Sequence, residues 1–218
     1  MRDGAGPAGV VFDVDGLLLD TEESWTHAER ALFARYDRPF GPDEKRLLLG
    51  TSFENGGRLL ERLLGEPGRA LELSAELLEL VSERLLAGAD PLPGARELVA
   101  ALDGVRPLAV ASNSPESFVR SALRTAGLDG AFPVVVTADQ VTEGKPAPDV
   151  YLEACRRLGV RPAASVALED SPTGVASARA AGLFIVGVPS LPGVALDVDL
   201  VASSLADESV RLALGVTL

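Results

Sequence analysis

Five short apolar runs, spaced by helical segments, constrain this chain more than any other feature. They lie at residues 10–14 (VVFDV), 107–111 (PLAVA), 133–137 (PVVVT), 164–168 (ASVAL) and 184–188 (FIVGV). Their apolar, largely β-branched character is that of strands buried on both faces. Helical patterns fill the gaps between the later runs, with clear punctuation. Gly94 to Leu102 follows two prolines, Pro115 to Ala126 ends at Gly127, Pro148 to Leu158 ends at Gly159, and Pro172 to Ala181 ends at Gly182. Proline in the first turn and glycine just past the last is the expected asymmetry of helix ends. The alternation predicts an α/β fold, a doubly wound (Rossmann-like) parallel sheet with helices on both faces.

One segment breaks the rhythm. Residues 21–90 hold no strand-like run and show only helical periodicity, as in Leu59, Leu60, Leu63 and Leu64 or Leu73, Leu77, Val81 and Leu85. This predicts an all-helical cap domain at 21–90, inserted into a core made of 1–20 and 91–218. Gly88, Pro91 and Pro93 suit a hinge at its far end. The opening MRDGAGPAG reads as a loose leader, and there is neither an internal repeat nor a low-complexity tract.

Composition removes several classes of function. The net charge is −12, and residues 21–90 are acidic too, with nine Lys and Arg against fourteen Asp and Glu. Without a cluster of cations, a nucleic-acid partner is not expected. No apolar run approaches the ~18–20 residues of a membrane helix, and the start lacks the pattern of a secretory signal. A single cysteine, Cys155, fits a reducing compartment and reads as a small core residue. The expectation is a cytoplasmic monomer whose partner is a small molecule.

In doubly wound sheets, ligands bind beyond the carboxyl ends of the strands. The first strand delivers Asp13, Asp15 and Gly16 there, and the second delivers Ser112 and Asn113. Lys145 follows the third, while Glu169 and Asp170 follow the fourth. Taken singly, Lys145 could sit in a surface turn, Ser112 and Asn113 could cap a helix, and Glu169 and Asp170 could be anions at a helix start. Together they bring four carboxylates and one ammonium to one rim. Crowded carboxylates either take up protons or bind a cation, and an all-oxygen site with open positions suits Mg²⁺.

FDVDGLLLDT, ASNSPES, GKPAPDVY and LEDSPTGVASARAAG resemble, in order and spacing, the four motifs of the haloacid dehalogenase superfamily. The chain is similar to the helical-cap subgroup that includes β-phosphoglucomutase and the sugar-phosphate phosphatases, over about residues 9–205. The resemblance implies a Mg²⁺-dependent phosphatase that hydrolyses a small phosphate monoester, a sugar or polyol phosphate, through an aspartyl-phosphate on Asp13. It implies that Asp15 protonates the leaving alcohol and then activates water, its carbonyl helping to hold Mg²⁺. Ser112 and Asn113 would bind phosphoryl oxygens, and Lys145 would neutralise nucleophile and phosphate. Asp170 would ligate Mg²⁺, with Glu169 beside it acting through water.

A halide leaves without a proton whereas an alkoxide needs one, so Asp15 marks phosphoryl chemistry rather than dehalogenation. The alternative within the family is a β-phosphoglucomutase-like mutase. Such mutases carry a histidine where Trp25 stands and a phosphate-gripping arginine where Phe53 stands, which favours the phosphatase. The alternative from another class, a non-catalytic binding protein, is opposed by motif residues that are all intact. Trp25 either lines the substrate pocket or packs between cap helices. His27, the sole histidine, reads as solvated.

Overall fold

The computed structural model of the chain describes residues 6–85, 89–190 and 195–216. Its centre is a parallel sheet of β1 (Val10–Phe12), β2 (Leu108–Ser112), β3 (Val134–Thr137), β4 (Val166–Glu169), β5 (Phe184–Gly187) and β6 (Leu200–Val201). The order is β3-β2-β1-β4-β5-β6, with every neighbouring pair parallel. The five strands expected from the apolar runs are all present, each end within two residues of expectation. β6 is an addition: two apolar residues following Asp197 and Asp199 are too few to register as a run. The expected loose leader is tied down from Pro7, which is buried, and the Ala8 N–H donates to the Ala164 carbonyl at 2.8 Å. Its first five residues lie outside the described ones.

Between β1 and β2 the chain forms α1 (Glu22–Arg35), α2 (Pro42–Leu48), α3 (Phe53–Leu64) and α4 (Ala70–Leu85). Ser52 caps α3 by accepting from the Asn55 N–H, and Gly65 ends it in the left-handed region. Leu32, Phe33, Leu60, Leu64, Leu73 and Val81 are buried together, each such side chain contributing about 1.5–3 kcal/mol. The chain leaves β1 and returns to the sheet along adjacent segments. The Asp20 N–H donates to the Asp90 carbonyl and the Leu92 N–H to the Leu18 carbonyl, both at 2.9 Å. Pro91 pairs with Leu19 at this crossing, whereas Gly88 lies outside the described residues.

The remaining helices are α5 (Ala95–Leu102), α6 (Glu116–Thr125), α7 (Asp149–Leu158), α8 (Pro172–Ala181) and α9 (Glu208–Leu214). Strand side chains alternate between two apolar layers, as the pleat requires. Val10 and Phe12 pack with residues of α5, α6 and α9; Val11 packs with α7 and α8, including Cys155. Helices therefore cover both faces of the sheet, and β1 is buried on each.

Gly94, just before α5, has φ 86°, and a Cβ there would run into the backbone of Ala206. Left-handed strain of about 1–3 kcal/mol adds to overpacking of about 1–3 kcal/mol. Gly94→Ala is therefore expected to lower the thermal midpoint by about 4–24 °C at this chain length. Differential scanning calorimetry checks this, and a midpoint unchanged to within a degree would contradict the account.

Candidate active site

The strand order reverses at β1, with β2 on one side and β4 on the other. Phe12, the last residue of β1, pairs with Val110 and Leu168. Because β2 and β4 each continue past that register, Asp13 drops into a notch between their ends. Its N–H donates to the Leu168 carbonyl at 3.1 Å. This is the crevice where doubly wound sheets bind ligands.

Lys145 reaches into the notch from the loop after β3. Its Nζ lies 2.5 Å from Asp13 Oδ1 and 2.6 Å from Glu169 Oε1. The Tyr151 hydroxyl, from α7, donates to the same Glu169 oxygen at 2.5 Å. Glu169 Oε1 is thus committed to two donors, which leaves Oε2, with Ser171 Oγ at 3.4 Å. Lys145, Asp13, Glu169 and Asp170 are all buried.

Asp15 is held by three donors from three places. Thr21 Oγ1 at 2.8 Å and Trp25 Nε1 at 3.2 Å donate to Oδ1, and Ser114 Oγ at 2.8 Å donates to Oδ2. The Trp25 ring also packs on Phe118 of α6, 5.5 Å between centroids, so Trp25 lines the cleft and packs against a helix outside the inserted segment. Gly16 follows with φ 81°, and a Cβ there would strike the Asp170 carboxylate. Only glycine lets the backbone come so close to that side chain.

Asn113 is used differently from its neighbours. Its Oδ1 accepts from the Lys145 N–H at 2.7 Å, and its Nδ2 donates to the carbonyls of Lys145 and Gly50, both at 3.0 Å. The side chain therefore fixes the Lys145 loop, and its main-chain N–H is the group it can turn to a ligand. Ser112 Oγ accepts from the Ser114 N–H at 3.0 Å and keeps its own hydroxyl proton to donate.

Burial holds Asp13 well above the ordinary carboxylate range, with Lys145 pulling it back and Glu169 and Asp170 adding to the rise. Asp170 is pushed up to about 8, first by burial and then by Glu169. Asp13, Glu169 and Asp170 each present an oxygen within 4.8 Å of the others. Three buried carboxylates against one ammonium form a donor set that a hard divalent cation would relieve, so these residues fit one.

The cleft above the notch is also lined by the inserted helices. Phe53, Leu48, Leu60 and Leu77 contribute apolar wall, while Glu22, Glu29 and Lys45 contribute charge. Burial raises Glu29 to about 7, with Lys45 opposing the rise. His27 is exposed and lies outside the cleft's lining.

Every site residue expected from the sequence thus lies at one end of the sheet. Thr21, Ser114 and Tyr151 join the site although none was expected in it, and each sits within one of the four motifs. Ser114 follows the end of β2 by two residues and could have been found as a hydroxyl on the same rim, whereas Thr21 lies nine residues past β1. Glu22, Glu29 and Lys45 gave no such signal, because charges in a polar helical stretch ordinarily face water.

Comparison with known proteins agrees with the geometry. Residues 7–182 match the family described as haloacid dehalogenase-like hydrolase. The chain is 33% identical over 180 residues to validoxylamine A 7'-phosphate phosphatase of Streptomyces hygroscopicus subsp. limoneus, covering 82% of this chain and 84% of that protein. It is 34% identical over 181 residues to fructose-1-phosphate phosphatase YqaB of Escherichia coli, covering 83% and 96% respectively. The crystal structure of CbbY from Rhodobacter sphaeroides in complex with phosphate has a TM-score of 0.81 at 29% identity, covering 92% of this chain and 96% of that one. The chain belongs to the haloacid dehalogenase-like hydrolase family.

Proposed function

We propose that this phosphoric monoester hydrolase removes phosphate from a small sugar or polyol phosphate in two steps, through an aspartyl-phosphate on Asp13. The observation that carries the reading is the pairing of a lysine-gripped Asp13 with a separately anchored Asp15 in one cleft. Lys145 holds Asp13 Oδ1 at 2.5 Å, which leaves Oδ2 as the attacking oxygen. In the first step an Oδ2–P bond forms while the bond from phosphorus to the alcohol oxygen breaks, and Asp15 supplies the proton that the alkoxide takes. In the second, Asp15 takes a proton from water, the water oxygen bonds to phosphorus, and Asp13 Oδ2 leaves as carboxylate. Ser112, the Asn113 main chain and Lys145 would hold the phosphoryl oxygens, because such transfer asks mainly for positioning and charge neutralisation.

Asp13, Asp170 and the Asp15 carbonyl would hold Mg²⁺, with Glu169 Oε2 acting through water. The ion would supply charge neutralisation and polarisation of the phosphoryl group. Residues 21–90 would act as a lid whose closure excludes water around Asp13. The relatives named as phosphatases of validoxylamine A 7'-phosphate and fructose 1-phosphate support a substrate of that class.

A mutase would have to hold a second phosphate and accept a proton where its histidine stands. Trp25 stands there, and an indole N–H can only donate. Among the described residues lining the cleft, the cation besides Lys145 is Lys45, already paired with two carboxylates. These features support the phosphatase.

Asp13→Asn is expected to lower kcat on p-nitrophenyl phosphate by about 10³-fold or more while keeping the fold. Substantial turnover by a well-folded Asp13→Asn protein would rule out the covalent route. EDTA is expected to abolish activity and Mg²⁺ to restore it. Mg²⁺ should also raise the melting temperature of the wild type, an effect that Asp170→Ala should remove; full activity in chelator would contradict this assignment. Trp25→Phe removes one of three hydrogen bonds to the Asp15 carboxylate, so kcat should fall about tenfold with KM little changed. Steady-state kinetics on purified variant checks that split.

A further inference from the structure

The cleft wall formed by α1 and α2 holds a charged cluster that the phosphoryl chemistry does not use. Lys45, from α2, places Nζ 3.1 Å from Glu29 Oε2 and 3.2 Å from Glu22 Oε2, both from α1. These are ion pairs without hydrogen-bond geometry: both Oε2 atoms are buried and neither meets an aligned donor. Glu29 is only 3% exposed. Buried carboxylate oxygens whose near donor is misaligned are uncommon, and each is a candidate for a ligand's hydrogen bond.

We propose that Glu22, Glu29 and Lys45 form the subsite for the leaving alcohol, selecting an uncharged, hydroxyl-rich phosphate ester over one that carries a second phosphate. The inference rests on the phosphatase reading and deepens it. Two carboxylates and one ammonium offer both acceptors and donors. A hydroxyl group matches such a cluster, because it donates to Glu22 or Glu29 and accepts from Lys45. A second phosphate can only accept, and here it would meet an excess of negative charge around the one cation, which is a selection by repulsion. Leu48, Leu60 and Leu77 line the same cleft and offer apolar surface to the carbon skeleton. The plain structural use of the cluster, a tie between α1 and α2, needs one carboxylate for the lysine. The second carboxylate and the unaligned oxygens are what that use does not account for.

The test compares kcat/KM, with Mg²⁺, on sorbitol 6-phosphate, fructose 1,6-bisphosphate, phosphoethanolamine and p-nitrophenyl phosphate. The wild type is expected to favour sorbitol 6-phosphate over the bisphosphate and phosphoethanolamine by at least about tenfold, the value of one hydrogen bond to a charged group. Glu29→Gln and Lys45→Met should each reduce the ratio of sorbitol 6-phosphate to p-nitrophenyl phosphate by about tenfold, with the change in KM. Proportional loss on both substrates would reduce the cluster to a helix tie and overturn the inference. Preference for phosphoethanolamine would assign the carboxylates to a cation, and preference for the bisphosphate would assign Lys45 to a phosphate; either overturns it. If a variant fails to fold, the wild-type ranking decides. Hydrolysis of p-nitrophenyl phosphate without a polyol preference overturns this inference alone, whereas hydrolysis of none of the four overturns the phosphatase reading as well.

Discussion

Lys145 is the cation among the buried charged residues described, and the carboxyl edge of the sheet is arranged around it. Its ammonium bridges Asp13 and Glu169, and it lies 5.2 Å from the centre of the Tyr151 ring. Burial acts to lower its pKa, but the two carboxylates more than offset this and hold the lysine charged. Removing one partner of such a buried pair typically costs about 3–5 kcal/mol, since the remaining charges are stranded out of water. The lysine also joins separate parts of the chain. Asp13 follows β1, Glu169 ends β4, Tyr151 lies on α7, and Asn113 fixes the lysine's own backbone from the end of β2. These buried charged groups are thus positioned by the central strands rather than by loops alone.

Asp15 depends on the same scaffold but is anchored from both sides of the cleft. Ser114 comes from the sheet side, whereas Thr21 and Trp25 come from the start of the inserted helical segment. The two aspartates therefore feel different surroundings although they are two residues apart. Asp13 is buried beside an ammonium, and Asp15 faces neutral donors. Gly50, also from the inserted segment, accepts from Asn113, so the helices touch the site at its backbone as well as through side chains.

What the sequence makes legible follows how local each signal is. The buried strands announce themselves through β-branched runs, and Asp13 could be placed at a rim because a charge directly after VVF has no inexpensive place within a core. β6 and α9 were not anticipated: the first is two residues long, and the second lies past the last strong run. Tyr151 reads as an ordinary core aromatic of α7, and only the fold shows that its hydroxyl meets Glu169. The Asn113 side chain binds the Lys145 backbone and the Gly50 carbonyl, and the pairing with Lys145 spans 32 residues, which no local pattern encodes. Partner choice between distant segments is set by topology, and the strand pattern reveals topology only in class.

The cluster of Glu22, Glu29 and Lys45 is the hardest feature to read from sequence, and its energetics separate it from the packing around it. Glu29 has an ordinary carboxyl pKa of 4.5 when unfolded and titrates near 7 in the folded chain, burial being the main cause. The folded state therefore holds this proton more tightly than the unfolded one. Its contribution to stability is fully present below pH 4.5 and is lost as the pH rises through about 7, a change of about 3 kcal/mol. Near neutral pH the group thus opposes folding relative to an apolar side chain of similar size, and Lys45 only partly offsets the cost. Leu32 and Phe33 on the same helix carry no such cost and are fully buried. A buried acid that weakens the fold and lines the cleft is a local cost of the kind that functional sites carry and packing alone does not require.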